Sequence, residues 1–253
     1  MSNSKNWKES INVRIYDLDL TGKLSLISIC NYLQQSATKH ADKLNISSWH
    51  LTELNITWIL YRLQVKVKEY PNYDKKLIID TWPAIIKDPY DFRAFRIFNE
   101  NNIEIGNALY NWLLIDLETR KPVRIPEILY ECHDFEKEIP FDVKFKRLKK
   151  IDKIDYVREF NVLFNDMDIN KHTNNVSYIK WVLEAIPFDI RSNYQINEFE
   201  IEFRAETFYN EKIISESEKI EDNDQIIFNH QLLDKESKII ALAKTQINKK
   251  TFI

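Results

Sequence analysis

Asp166-Met167-Asp168-Ile169-Asn170-Lys171-His172 lies on Asp17-Leu18-Asp19-Leu20-Thr21-Gly22-Lys23 at an offset of 149 residues, Asp17 to Asp166. What surrounds the two copies repeats as well. Alternating apolar residues precede each, at Ile11-Asn12-Val13-Arg14-Ile15-Tyr16 and at Phe160, Val162 and Phe164, which predicts a half-buried strand. A helical pattern follows each. Over 25–44, Ser25 caps a helix whose Ile29, Leu33, Ala37, Ala41 and Leu44 share one face, with Asn45 at its stop. Over 175–186 the face is Val176, Ile179, Val182, Leu183 and Ile186, and Pro187 ends the helix. Strands alone come after each helix: 58–67, 77–82 up to Pro83, and a hairpin of 92–98 with 103–115, then 198–208, 212–220, 225–234 and 238–247. A second match sets Tyr61-Arg62-Leu63-Gln64 on Phe203-Arg204-Ala205-Glu206, at an offset of 142 (Tyr61 to Phe203). The smaller offset fits a shorter helix in the second copy.

Each half is thus a strand, a helix and a sheet that must have one face covered. A long helix wrapped by a curved antiparallel sheet is the hotdog arrangement, and the expected fold is α+β, a tandem double hotdog that forms a pseudo-dimer within one chain. The expected boundaries are 1–130 for the first hotdog, 131–157 for a linker and 158–253 for the second. Pro122, Pro126, Pro140 and the basic run Lys144-Phe145-Lys146-Arg147-Leu148-Lys149-Lys150 break the rhythm between the halves.

Composition narrows the function. The 253 residues carry 36 basic and 39 acidic side chains, without the basic excess of a general nucleic-acid binder. Two cysteines, Cys30 and Cys132, allow neither a disulfide framework nor a cysteine-based zinc site. Two glycines, Gly22 and Gly106, stand where roughly 18 are expected, so neither a Rossmann nor a P-loop phosphate motif can be written. Turns fall to Asn and Asp instead, as in Asn99-Glu100-Asn101-Asn102 and Glu221-Asp222-Asn223-Asp224. Met1 to Ser10 has no apolar segment of the signal-peptide kind, and no run approaches the roughly 18 apolar residues of a membrane span. The expectation is a soluble, cytoplasmic protein without cofactor or metal.

In the second copy, Asp168, Asn170 and His172 stand two residues apart in a turn that leads into a helix, so one side can present a carboxylate, an amide and an imidazole. Backbone N–H groups near Asn174 and Asn175 at the helix start favour a neutral imidazole, able to act as a base. The spacing alone is equally that of turn formers and a partly exposed capping histidine.

The residues from Asn165 to Tyr178, then Trp181 and Leu183-Glu184-Ala185-Ile186-Pro187, resemble the signature of the acyl-ACP thioesterase family. Ile201-Glu202-Phe203-Arg204-Ala205-Glu206-Thr207 resembles that family's second block, and Asn31-Tyr32-Leu33-Gln34, Trp58-Ile59-Leu60-Tyr61-Arg62 and Thr81-Trp82-Pro83 agree in the first half. The resemblance implies a double hotdog that hydrolyses fatty acyl thioesters carried by acyl carrier protein, with catalytic Asp168, Asn170, His172 and Glu206. Family members often carry Cys after that Glu; here Thr207 stands there. Read from the pattern, Glu206 shares the polar face of its strand with Glu200, Glu202 and Arg204, and pairs with Arg204. To meet His172, either that face must look toward the loop or a bulge must turn the residue.

The first-half residues at the positions of Asn170, His172 and Glu206 are Thr21, Lys23 and Gln64, none a good general base at neutral pH. One active half is expected, with the other free to shape an acyl pocket; Trp58, Tyr61 and Trp112 are candidate walls, or simply sheet and core residues. The expected partner is an acidic carrier protein bearing a phosphopantetheine-linked acyl chain, with no nucleic acid and a homodimer left open. Lys144, Lys146, Arg147, Lys149 and Lys150 are candidates for a basic dock, or a solvated linker.

Overall fold

The computed structural model describes residues 5–141, 147–222 and 225–249. The chain divides into two compact units, Met1–Lys144 and Phe145–Ile253. The first holds β1 (Trp7–Asn12), α1 (Leu26–Lys43), α2 (Ser48–Thr52), β2 (Ile56–Val67), β3 (Lys76–Lys87), β4 (Tyr90–Phe98), β5 (Glu104–Asp116) and α3 (Glu127–Tyr130). Its strands pair antiparallel in the order β1-β3-β4-β5-β2. The second holds β6 (Tyr156–Asn161), α4 (Asn175–Glu184), α5 (Phe188–Asn193), β7 (Tyr194–Phe203), β8 (Lys212–Asp222), β9 (Gln225–Leu233) and β10 (Ile239–Lys249). Its order is β6-β8-β9-β10-β7, again all antiparallel. Matched strand by strand, the two orders are identical, which is the hotdog fold twice over. Among the described residues, no helix is long and apolar enough to cross a membrane.

The helices form for the reasons legible in the sequence. Ser25 accepts the Ser28 N–H at 3.0 Å as the cap of α1. Ile29, Leu33 and Ala37 then sit fully buried against the sheet, where α1 packs on β1 and β3. A buried leucine such as Leu33 contributes roughly 2–5 kcal/mol against truncation to alanine. Asn174 caps α4, and Ile179, Val182 and Leu183 face β6, β8 and β9. The helix stops at Glu184, two residues short of the expected 186.

The strands depart further from expectation. The first runs over Trp7–Asn12, earlier than 11–16, and Ile15 and Tyr16 lie exposed on a 3₁₀ turn, Ile15–Asp17. The same displacement holds in the second unit, where β6 ends at Asn161 and Phe164 opens the turn Phe164–Asp166. Apolar side chains on a tight turn imitate a strand's alternation. β3 does not end at Pro83 but runs through it, with a register shift between Pro83 and Ile85. The Pro83 carbonyl accepts the Asp134 N–H at 3.0 Å, on the side where β1 has already ended its pairing at Thr81. The missing Pro83 N–H therefore costs no ladder bond.

Of the stretch 131–157 expected as a linker, the first part packs into the first unit. His133 is fully buried, with Nε2 at 2.8 Å from the Asp91 carboxylate and Nδ1 at 2.8 Å from the Leu129 carbonyl. Lys137 pairs with Asp80 at 2.9 Å and lies 3.7 Å over the Trp82 ring. The last part, from Tyr156, is already β6.

Candidate active site

Two loops of the second unit meet at His172. The first closes on itself: the Asp168 N–H donates to the His172 carbonyl at 2.8 Å, and the Lys171 N–H to the Asp168 carbonyl at 3.1 Å. Asp168 Oδ1 takes the backbone N–H of Asn170 at 2.8 Å and of His172 at 3.2 Å. Asp168 is thus half-buried under the loop, as the acceptor that sets the backbone of the other two. Asn170 is exposed at the tip, and Lys171 adopts a left-handed φ of 64° to turn the chain back. The first unit builds the same loop. Asp19 N–H meets the Lys23 carbonyl at 2.8 Å, Asp19 Oδ1 takes the Thr21 N–H at 2.8 Å, and Gly22 has φ 75° where Lys171 stands.

The second loop follows β7. The strand ends at Phe203, five residues before the expected 208, because the N–H groups of Arg204 and Ala205 both donate to one carbonyl, Ile240, at 2.8 and 3.2 Å. Two residues opposite one acceptor is a bulge, and it swings the chain out of the sheet. Of the two alternatives open for Glu206, the bulge is the one realised. Arg204 pairs with Glu202 at 2.9 Å, not with Glu206. Glu206 Oε1 lies 3.5 Å from His172 Nδ1, an ion-pair distance longer than a good hydrogen bond, with both side chains about one third exposed. The Phe208 ring meets the imidazole edge-on at 5.6 Å. Thr173 ties the loops together, its N–H and Oγ1 donating to the Thr207 carbonyl at 3.1 and 2.9 Å. Nothing in the sequence pattern singled out Thr173 or its neighbour in space, Tyr178.

The bulge corrects the alignment of the halves. In the first unit Lys68 and Glu69 donate to Ile105 at 2.7 and 3.3 Å, as Arg204 and Ala205 do to Ile240. Leu24 donates to Pro71 as Thr173 does to Thr207, and Val13 to Lys75 as Val162 does to Glu211. Asp74 and Asn210 are both left-handed, at φ 58° and 69°. The counterpart of Glu206 is therefore Tyr70, not Gln64; Gln64 stays inside β2 opposite Leu109. Tyr70 is buried, which pushes its hydroxyl well above the ordinary range, with Cys30 and Asp19 nearby adding to the shift.

The helix start is less open than its position suggests. The Asn174 N–H donates to the Asp166 carbonyl at 2.7 Å, and the Val176 N–H to the Asn174 side chain at 3.0 Å. Trp58 donates from its indole to the Ile46 carbonyl at 3.0 Å and packs against the buried cluster that includes Leu44, Leu51 and Leu114; Tyr61 meets the Tyr90 ring at 5.3 Å, tilted by 42°; Trp112 lies on β5 opposite Leu60. Lys144 and Lys146 lie outside the described residues, while Arg147, Lys149 and Lys150 are exposed beside the buried Leu148. Among the described residues, no three His, Cys, Asp or Glu side chains stand together as a metal site would need.

The chain is similar to known proteins. Residues 4–132 match the acyl-ACP thioesterase N-terminal domain and residues 148–249 the acyl-ACP thioesterase C-terminal domain. Over 213 residues the chain is 26% identical to the chloroplastic palmitoyl-acyl carrier protein thioesterase of Arabidopsis thaliana, covering 79% of this chain and 52% of that one. The chain spans about half the length of several curated relatives it matches. The crystal structure of an acyl-ACP thioesterase from Bacteroides thetaiotaomicron superposes with a TM-score of 0.87 at 24% identity, covering 98% of this chain and 100% of that one. The 12:0-ACP thioesterase of Umbellularia californica gives 0.89 at 19% identity, covering 98% and 95%. At these identities the two likenesses show the shared fold.

Proposed function

The chain belongs to the acyl-ACP thioesterase family, and from that premise we propose that it hydrolyses fatty acyl thioesters of acyl carrier protein, releasing the free fatty acid and the carrier's pantetheine thiol. The observation that carries the reading is His172 Nδ1 at 3.5 Å from Glu206 Oε1, on two loops that the fold ties together.

A water held by this pair attacks the thioester carbonyl. As the new C–O bond forms, Glu206 or His172 takes the water's proton. The carbonyl oxygen becomes an oxyanion, and the Asn170 side-chain amide is the donor proposed for it; of the helix-start amides, those of Asn174 and Val176 are already engaged. The C–S bond then breaks, and the protonated partner returns the proton to the leaving thiolate. With Nδ1 turned to Glu206, Nε2 is the nitrogen that serves the thiolate. Asp168 acts through the backbone it holds: its carboxylate fixes the Asn170 and His172 amides and so the spacing of the two side chains. The first unit, with Lys23 and Tyr70 at the matching places, contributes to holding the acyl chain. Trp58, Tyr61 and Trp112 are proposed contacts for it.

The test is incubation of the purified protein with acyl-ACP and acyl-CoA thioesters of graded chain length, measuring free thiol and fatty acid together. The proposal expects equimolar thiol and acid, with kcat/KM higher on acyl-ACP. A preference for acyl-CoA would replace the carrier-protein assignment, and release of neither product would end the hydrolase reading.

A further inference from the structure

Behind the His172–Glu206 pair, three hydroxyls form one buried chain. Thr173 Oγ1 donates to the Thr207 carbonyl at 2.9 Å, and Thr207 Oγ1 donates to Thr173 Oγ1 at 2.8 Å. The Tyr178 hydroxyl is 3.0 Å from Thr207 Oγ1 and 3.2 Å from the Ala205 carbonyl, and with the Thr207 proton already used the one Tyr178 proton is shared between these two acceptors. Every hydroxyl proton then has an acceptor, and the bonds run in one direction, so that each polarises the next. Thr207 is 1% exposed, Tyr178 3% and Thr173 6%. Burial pushes the Tyr178 hydroxyl up to about 12, which keeps its proton in place at neutral pH.

The chain grips the backbone where it matters. Thr173 adjoins His172, while Ala205 and Thr207 flank Glu206, which has left the sheet ladder at the bulge. Without a grip, two loops would carry the pair with only the single Thr173–Thr207 backbone bond between them. The first unit has the same backbone bond, from Leu24 to Pro71 at 2.8 Å, beside a bridge of Lys23 to Asn72, and its residues at the three positions are Leu24, Pro71 and Ile29, none with a hydroxyl. At these matched positions, the hydroxyls stand in the half that carries His172 and Glu206.

We propose that Thr207, Thr173 and Tyr178 are positioning residues that hold the Glu206 carboxylate against His172; the inference rests on the reading of that pair as the hydrolytic site. Thr207 is then no nucleophile. Its proton is spent on Thr173, its oxygen accepts from Tyr178, and its side chain is closed to substrate.

Thr207→Val keeps the shape and removes the hydroxyl, Thr207→Ser keeps the hydroxyl, and Tyr178→Phe cuts the far end of the chain. The expected result on acyl-ACP is a kcat lowered about tenfold or more by Thr207→Val and Tyr178→Phe, with KM within about twofold and Thr207→Ser restored to within about threefold, since small displacements of catalytic groups are costly. A second readout needs no substrate. By NMR, the change that Glu206→Gln causes in the His172 ring chemical shifts should shrink to less than half in the Thr207→Val background. Unchanged kcat together with an undiminished shift would reduce the hydroxyls to packing and overturn the proposal. If Thr207→Val does not fold, by circular dichroism and melting, Tyr178→Phe carries the same two measurements. Loss of the NMR coupling in an enzyme that hydrolyses no thioester would leave the lock standing and remove the thioesterase reading.

Discussion

Cys30 and Cys132 are the thiols of the sequence, and neither is disposed to react. Cys30 is buried on α1 beside Tyr110, and burial pushes its thiol up to about 12. Cys132 is half-buried and pushed up as well, first by burial and then by Asp91 and Glu131. Since the thiolate is the reactive form, the double variant Cys30→Ser, Cys132→Ser should keep most of its kcat, and iodoacetamide should leave the wild-type rate unchanged over hours. A folded double variant without turnover would bring a thiol back into the mechanism. At this scale the turn that groups Asp168, Asn170 and His172 was legible in the sequence, because a five-residue loop is built from its own side chains and backbone. Glu206 was named through the family resemblance, while its strand pattern left open how it would meet His172. Its approach depends on the Ile240 carbonyl of β10, some 35 residues away in the chain, and no local pattern records which strand supplies it. Tyr178 was invisible for the same reason: its hydroxyl matters through Ala205 and Thr207, which reach it only in the folded unit.

The loop before each long helix is the element that repeats most closely, down to the left-handed residue at its tip. Gly22 occupies that place in the first unit, and a Cβ there would meet nothing within 4 Å. Gly22→Ala therefore isolates the backbone cost and should lower stability by about 1 kcal/mol, a few degrees in Tm, with kcat unchanged. Gly106 is required by contact instead: a Cβ would fall 2.6 Å from the Lys66 carbonyl between β2 and β5. Gly106→Ala should cost clearly more than Gly22→Ala in the same urea titration; equal losses would show that the strands yield without strain. The elements themselves were largely readable, since helical faces and hairpins follow side-chain periodicity. Their ends were not, and one error has a mechanistic consequence. The likeness of Tyr61-Arg62 to Phe203-Arg204 set Gln64 on Glu206, whereas β2 runs on through Val67 and the matching bulge comes at Lys68 and Glu69. Tyr70, a buried phenol, is what the first unit has in place of the carboxylate.

For the molecule as a whole, acid should be destabilising through a residue outside the site. His230 is fully buried between Ser217 and Thr245, at 2.7 and 2.9 Å, and burial pushes its pKa down to about 3. The unfolded chain binds this proton near pH 6.5, so between those values the unfolded state holds more protons and stability rises with pH. The contribution is complete above about pH 6.5 and is lost as the pH falls, by about 2 kcal/mol at pH 5. Urea midpoints of His230→Gln should depend less steeply on pH over that range; an identical slope would assign the acid sensitivity elsewhere. The proposed docking of the carrier would likewise be a property of the surface. Reversing the exposed Arg147 and Lys149 to Glu should raise KM for acyl-ACP several-fold and weaken its salt dependence, while a short pantetheine thioester is hydrolysed as before. Equal effects on both substrates would show that this segment is no dock. The central claim, one hydrolytic pair in one of two like halves, is tested most directly by kcat on acyl-ACP for four folded variants. His172→Ala and Glu206→Gln should each lose about 10² to 10⁴-fold, while Lys23→Ala and Tyr70→Phe stay within a few-fold of wild type. Losses as deep in the first-unit pair as in the second would contradict the account.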